Sequence, residues 1–475
     1  MLVIDIKFNF SNNFNGSILD FKITYNQLSM RKYVKIILVI ISIVLIFGVY
    51  YGYQVYKIIA GSEPLSGKQE NIPAKMAAIP PIIKGNADWP NWRGADFDGK
   101  SATKGIKTDW SKGLKLIWQV NYLCQDKSTA SWSAPVVQGN RLIVPGRDKT
   151  NDLVFCIDTD NGELIWSGSY EAKAESSHGP GSRATPFISE DRVYTFGRSG
   201  DLVCWQLFDG KLLWRKSVKE EGGAEPSWGF STTPLVIDNK VIVQGGGKAL
   251  VVAYDKVTGE LLWKSMEGEV GYAAAITMKI ENEVKLLIYH GKGLSCLNPS
   301  DGKMLWSVQW PTSYGVNATT PIIDKDVIFH TSGYKMGCEA LKVTRSGYSV
   351  LWKSHVMEAQ HSDPILIGGY IYGYSGQSAR NSGDFKCIEL SSGKEMWSTN
   401  AIGQGTTTFA DGHLICQDLK GNLFLVAPDP SGFKKVGEIK PAIKDVQNPA
   451  WTVPVIANGR LYLRYLQQVV CYQLD

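Results

Sequence analysis

The sequence predicts an all-β chain: an eight-bladed β-propeller of four-stranded blades carrying Trp-docking motifs, preceded by one N-terminal transmembrane helix. Three observations point there. Seven tryptophans, Trp118, Trp166, Trp214, Trp263, Trp306, Trp352 and Trp397, stand 48, 48, 49, 43, 46 and 45 residues apart. A shared residue frame precedes nearly all of them, and a long charge-free run lies near the N-terminus. A period of that size marks a repeat architecture built from one supersecondary unit per repeat.

The frame is clearest in Ala253-Tyr-Asp255-Lys-Val-Thr-Gly259-Glu-Leu-Leu-Trp263. It recurs in Cys156, Asp158, Gly162, Trp166; in Cys204, Gln206, Gly210, Trp214; in Cys296, Asn298, Gly302, Trp306; and in Cys387, Glu389, Gly393, Trp397. Before Trp352 the glycine, Gly347, comes one place early, and in the last such frame Val436 stands where Trp is expected, after Gly432. Alternating apolar residues, a polar pair, a glycine able to take positive φ and renewed alternation read as strand, tight turn, strand. Upstream, Ser133-Ala-Pro135, Ala184-Thr-Pro186, Thr232-Thr-Pro234, Thr319-Thr-Pro321, Ser362-Asp-Pro364 and Thr452-Val-Pro454 each open a further strand pair. Four strands per unit of about 45 residues is the pattern of a propeller blade.

Trp118 has no strands of its own before it, and the last unit stops at Cys471-Tyr-Gln-Leu-Asp475, where its Trp strand should begin. Leu114 to Val120 is therefore expected to complete the C-terminal sheet, closing the ring at eight blades. Burying each docking Trp against the neighbouring blade stabilises such a ring without implying any activity.

The formal net charge is +5, but residues 1–60 hold six of the cations against Asp5 and Asp20, so the rest of the chain carries only +1. That excludes a basic field for nucleic acid. Five of the eight cysteines, Cys156, Cys204, Cys296, Cys387 and Cys471, occupy the same frame position in different blades, too far apart to bridge. Cys124, Cys338 and Cys416 lie outside the frame, and a pairing among them stays open. The absence of any C-x-x-C argues against covalent haem and ribbon-type zinc sites.

Ile36 to Tyr56 is 21 residues without a charge, preceded by Arg31, Lys32 and Lys35 and followed by Lys57. The run is long enough to span a bilayer, and Tyr50, Tyr51, Tyr53 and Tyr56 suit an interfacial belt. The reading is a cytoplasmic segment 1–35 (with Met30 as the expected true start), a transmembrane helix 36–56, a Pro-rich linker 57–87 and a propeller 88–475. The cation bias places the ring on the periplasmic side of the inner membrane, single-pass. A cleaved signal peptide is the rival reading, although no A-x-A site follows the run.

The lead-in Asp88-Trp-Pro-Asn-Trp92-Arg-Gly94, with Asp98-Gly99, and the A-x-D-x-x-T-G-x-x-x-W frame resemble the pyrroloquinoline-quinone (PQQ)-like propeller repeat family over residues 88–475. In its quinoprotein dehydrogenases, the resemblance implies PQQ over the propeller axis and a calcium ion held by Glu and Asn. It also implies an Asp base and a disulfide between adjacent cysteines. This sequence has no Cys-Cys pair and no position matching the base or the calcium ligands, so catalytic and metal residues stay unassigned. The same frame occurs in propellers that bind no quinone, including outer-membrane assembly lipoproteins.

Segments entering the innermost strands should border the channel mouth. They supply Trp132, His178, Arg183, Trp228, Tyr272, Tyr314, Asn317, His361, Asp363 and Trp451, a set suited to a flat anionic ligand or, alternatively, to plugging the axis. Asp158-Thr-Asp160-Asn-Gly162-Glu163 places its glycine one position early for an EF-hand and reads as an ordinary blade turn. Gly245-Gly-Gly247-Lys248 lacks the strand-to-helix setting of a phosphate loop. The expected function is a membrane-anchored scaffold that binds a small-molecule ligand or a protein partner. The alternative is a PQQ- and Ca2+-dependent alcohol or sugar dehydrogenase.

Overall fold

The structure, a computed structural model, describes residues 30–59, 70–173, 179–377, 382–447 and 449–475. Side chains of 30–35 and 51–59 lie outside the described residues, as do all of 1–29 and 60–69. The chain forms two compact units, Met1–Ser62 and Glu63–Asp475.

In the first unit a single helix, Met30–Ile59, contains the predicted span. Ile37 to Val49 leave their large apolar side chains exposed. Among the described residues no helix is long and apolar enough to cross a membrane. The side chains of 51–56, the far end of the predicted span, are outside that set.

In the second unit eight antiparallel sheets follow one another along the chain. Blades 1 to 6 occupy residues 136–171, 187–217, 235–265, 276–309, 322–354 and 365–399, each with four strands. Blade 7 covers 405–439, and Lys100–Ser101 adds a fifth strand, parallel to its inner edge. Blade 8 has three C-terminal strands, and its outer strand is Lys115–Val120, paired antiparallel with Gln468–Gln473. The ring closes through its two ends, which removes the edge an open array would expose.

The frame has a geometric cause. In every blade the outer strand carries a bulge just before its docking position, which turns that residue toward the next blade. The small frame residue stands opposite: Cys156 faces Trp166, Ala253 faces Trp263 and Cys471 faces Trp118. The Trp118, Trp166 and Trp214 indoles donate to the carbonyls of Thr159, Leu207 and Lys256 in the following blade. Each ring lies over the next turn's glycine. A Cβ on Gly162, Gly210 or Gly259, all at positive φ, would stand within 2.9, 2.3 and 2.8 Å of that indole. Glycine is thus required twice over, for the turn and for the ring above it. Where the glycine is displaced, at Gly347, Trp306 meets the Tyr348 ring instead, with centroids 5.7 Å apart.

Blade 7 corrects the sequence reading. The residue opposite Leu425 is Gly437, while Val436 is the bulged residue and 41% exposed. The docking position therefore holds glycine, and Trp110, in the lead to the closing strand, packs on it, with its Cβ and indole Cγ 3.2 and 3.4 Å from where a Gly437 Cβ would be. Elsewhere the outer strand supplies Trp and the next blade supplies Gly. Here the two roles are exchanged. All eight cysteines, including Cys124, Cys338 and Cys416, are free and buried.

Candidate functional site

The lead-in forms the floor of the axial site. Trp89 bridges Val137 in blade 1, the Pro90 carbonyl accepts from Ile188 N in blade 2, and Arg93 donates to the Pro364 carbonyl in blade 6. This segment therefore crosses the ring between opposite blades. The Trp92 indole donates to Asp363 Oδ2 at 3.0 Å and Thr320 Oγ1 at 3.1 Å, which holds the ring at the axis.

Above Trp92 lies a cavity of about 280 Å³. It is lined by Trp132 and Ala134 (blade 1), Arg183 and Thr185 (blade 2), Trp228, Ser231 and Thr233 (blade 3), and Tyr272 and Ala274 (blade 4). Val316, Ala318, Tyr334, Gln360, His361, Trp451 and Thr452 complete the wall. The segments before the innermost strands converge here because the ring brings every inner strand to the axis. Trp132 and Trp451 stand with centroids 4.9 Å apart, and His361 lies 5.9 Å from Trp451. Across the cavity Trp228 meets Tyr272 edge-on at 5.9 Å, and Gln360 donates to the Tyr334 hydroxyl at 3.1 Å.

Arg183 is the lining cation, and no described lining residue is Asp or Glu. Burial pulls the Arg183 guanidinium down to about 10, helped by Arg198 nearby. At neutral pH it remains charged. Arg198 is held by Glu225 at 3.1 Å, which Lys219 also contacts at 2.6 Å. Burial pushes the Tyr272 phenol up to about 12, so it stays a neutral hydrogen-bonding group.

Of the ten mouth residues expected from the sequence, Trp132, Arg183, Trp228, Tyr272, His361 and Trp451 line this cavity. Tyr314 does not: it stands 60% exposed, against Trp228 at 5.5 Å and Tyr334 at 6.1 Å. Asn317 is buried, donating to the carbonyls of His290 and Trp310 and accepting from Ser332. Asp363 is engaged by Arg93 at 3.2 Å, by Trp92 and by Thr320 N. Both acid and amide organise backbone, because a polar group buried beside an inner strand must be paired. His178 lies outside the described residues. Trp92, Tyr334 and Gln360 were not anticipated from the sequence. Trp92 belongs to the lead-in rather than a blade frame, and Tyr334 lies in a turn between the second and third strands of blade 5, where no frame points. Only Gln360, beside His361, carried a local signal.

Calcium does not fit this cavity. A hard divalent cation needs several oxygen ligands, commonly carboxylates. The described lining offers no carboxylate, and among the described residues no group of three or more His, Cys, Asp or Glu could hold a metal ion.

A family profile described as outer membrane protein assembly factor BamB matches residues 170–399. The chain is 25% identical over 222 residues to that factor from Moranella endobia (strain PCIT), covering 45% of this chain and 51% of that protein. It is 24% identical over 184 residues to quinoprotein alcohol dehydrogenase PedH of Pseudomonas putida, covering 36% and 29%. The chain thus spans about half, or less, of the length of these relatives. Among solved structures, BamB from Moraxella catarrhalis aligns with a TM-score of 0.53 at 14% identity, over 76% of this chain and 98% of that one. A europium-containing methanol dehydrogenase aligns with a TM-score of 0.59 at 14% identity, over 79% and 89%. At such identities the structural likeness shows the fold alone. The repeat frame, the eight-bladed ring and the sequence matches together fit the PQQ-like β-propeller repeat family.

Proposed function

We propose that this protein is a binding and assembly scaffold: a propeller anchored in the inner membrane by residues 36–56, facing the periplasm, that takes a ligand or protein partner at its axial cavity. The observation that carries this reading is the cavity's composition, an aromatic wall with one arginine and no described carboxylate. Such a wall supplies stacking and one charge-assisted contact, so it can hold a planar or anionic group. Its described residues supply no carboxylate base to take a proton from an alcohol. Similarity to the outer membrane protein assembly factor BamB supports a protein partner. The anchor rests on the charge-free run and the three cations before it.

A second reading, a PQQ-dependent dehydrogenase, draws on the same aromatic wall around Arg183 and on the similarity to PedH. If PQQ were bound, it would supply the hydride acceptor, with Arg183 facing a carboxylate and the Trp faces stacking on the ring. The test is dye reduction by the purified protein with PQQ and calcium or a lanthanide, across a panel of alcohols and sugars. No turnover is expected. Turnover that disappears on chelation would replace the scaffold by the dehydrogenase.

A further inference from the structure

Two places before a docking Trp the residue is apolar in six of the seven frames, and in five of these six it is exposed. Leu116, Leu212, Leu261, Met304 and Val350 are 38–52% exposed, whereas Leu164 in blade 1 is 2% exposed. Its neighbour Ile165 is buried too. The difference is made by the chain itself, because the segment from residue 70 onward lies on this rim.

We infer that residues 70–84 form a strap that latches the closing blade to blade 1. At one end Glu70 N donates to the Asn121 carbonyl at 3.2 Å, just past the closing strand Lys115–Val120. The strap then crosses to blade 1, where Met76 N donates to the Leu164 carbonyl and Lys75 Nζ to the Ser167 carbonyl, both at 2.9 Å. Met76, Ile79 and Ile82 pack on the core that contains Ile165. The carbonyls of Pro80 and Pro81 need donors, and side chains of the ring provide them. Arg141 donates to the Pro80 carbonyl, and Asn140 Nδ2 donates to the Pro81 carbonyl at 3.1 Å. Asn140 Oδ1 in turn accepts from Ile83 N at 3.0 Å. The fit is close: a Cβ on Gly139 would stand 1.4 Å from the Ile83 carbonyl oxygen.

Two anchors on two blades give the strap a specific consequence. The ring is closed by one hydrogen-bonded strand pair, and a segment holding both sides of that junction opposes its opening. Residues 70–84 are thus a second closure element, not free linker.

Amide exchange on the full-length protein in detergent tests this. In the native chain the amides of Met76 and Ile83 are expected to exchange at least about tenfold more slowly than free chain. In the M76D/I79D variant that protection should vanish. Exchange across 115–120 and 468–473 should then rise by about tenfold, with 251–265 unchanged. Leu261→Asp, at an exposed equivalent rim position, is the control and should alter none of these. Asn140→Ala, which removes only the bonds at Pro81 and Ile83, is the milder variant should the double one fail to fold, and it should lose protection at Ile83 and, more weakly, at the closing pair. Free-chain exchange at Met76 and Ile83 in the native protein would overturn the strap. Acceleration confined to 164–171, or equal in every blade, would overturn the latch.

Discussion

Replacing Trp110 by Ala should destabilise the ring about as much as removing one of the frame tryptophans. Trp110 is 3% exposed and belongs to the core shared by blades 7, 8 and 1. Its ring rests on Gly437, and its indole donates to the Lys107 carbonyl within its own loop at 2.9 Å. Truncation would remove the whole ring from a junction that cannot collapse, because the backbone at Gly437 has no side chain to move into the gap. Large aromatic-to-Ala changes in cores cost about 3–5 kcal/mol. The lost bond is local to the loop and adds about 1 kcal/mol or less. Val436→Ala, at an exposed bulge, should cost within about 0.5 kcal/mol. Urea unfolding followed by tryptophan fluorescence would measure both, with the shift read at unchanged slope. If Val436→Ala proved the costlier substitution, the exchange of docking roles at Gly437 would be wrong.

Three further outcomes are expected. Asp363→Ala should cost about 3–5 kcal/mol in thermal unfolding, since it strands Arg93 as a buried, uncompensated cation and frees the Trp92 indole; a neutral effect would return Asp363 to the mouth. His290, pulled down to about 4 by burial, takes up a proton less readily when folded than when unfolded, where its pKa is near 6.5. Its contribution, about 3 kcal/mol, is complete above pH 6.5 and is lost as the pH falls toward 4, so His290→Gln should flatten the fall in melting temperature between pH 6.5 and 4.5. An unchanged slope in that variant would contradict this. Protease added outside intact spheroplasts should digest the propeller; protection until lysis would reverse the proposed placement.

The ring was legible because its signal is repeated. A docking Trp, its opposed small residue and the next blade's Gly depend on one another, so each frame reinforces the rest. Blade 7 was misread for the same reason: when Gly437 and Trp110 exchange roles, the strand loses its Trp and the compensating ring sits outside any frame. The mouth was partly legible, since every segment before an inner strand reaches the axis. What the sequence does not encode is which way each side chain turns. Asn317 and Asp363 share the position of the cavity-lining residues, yet unpaired backbone and Arg93 draw them aside. Tyr334 reaches the cavity from a turn elsewhere in blade 5, and Trp92 from the lead-in, so no repeat position announces either one.

The central claim is that the axial cavity binds without a metal-supported reaction centre. Isothermal titration of calcium, and separately of a lanthanide, into the protein mixed with PQQ tests it most directly. No saturable uptake of either metal is expected, because the described lining supplies no carboxylate. Stoichiometric, PQQ-dependent metal binding that is lost in Asp363→Asn would contradict the account, placing that carboxylate at a reaction centre.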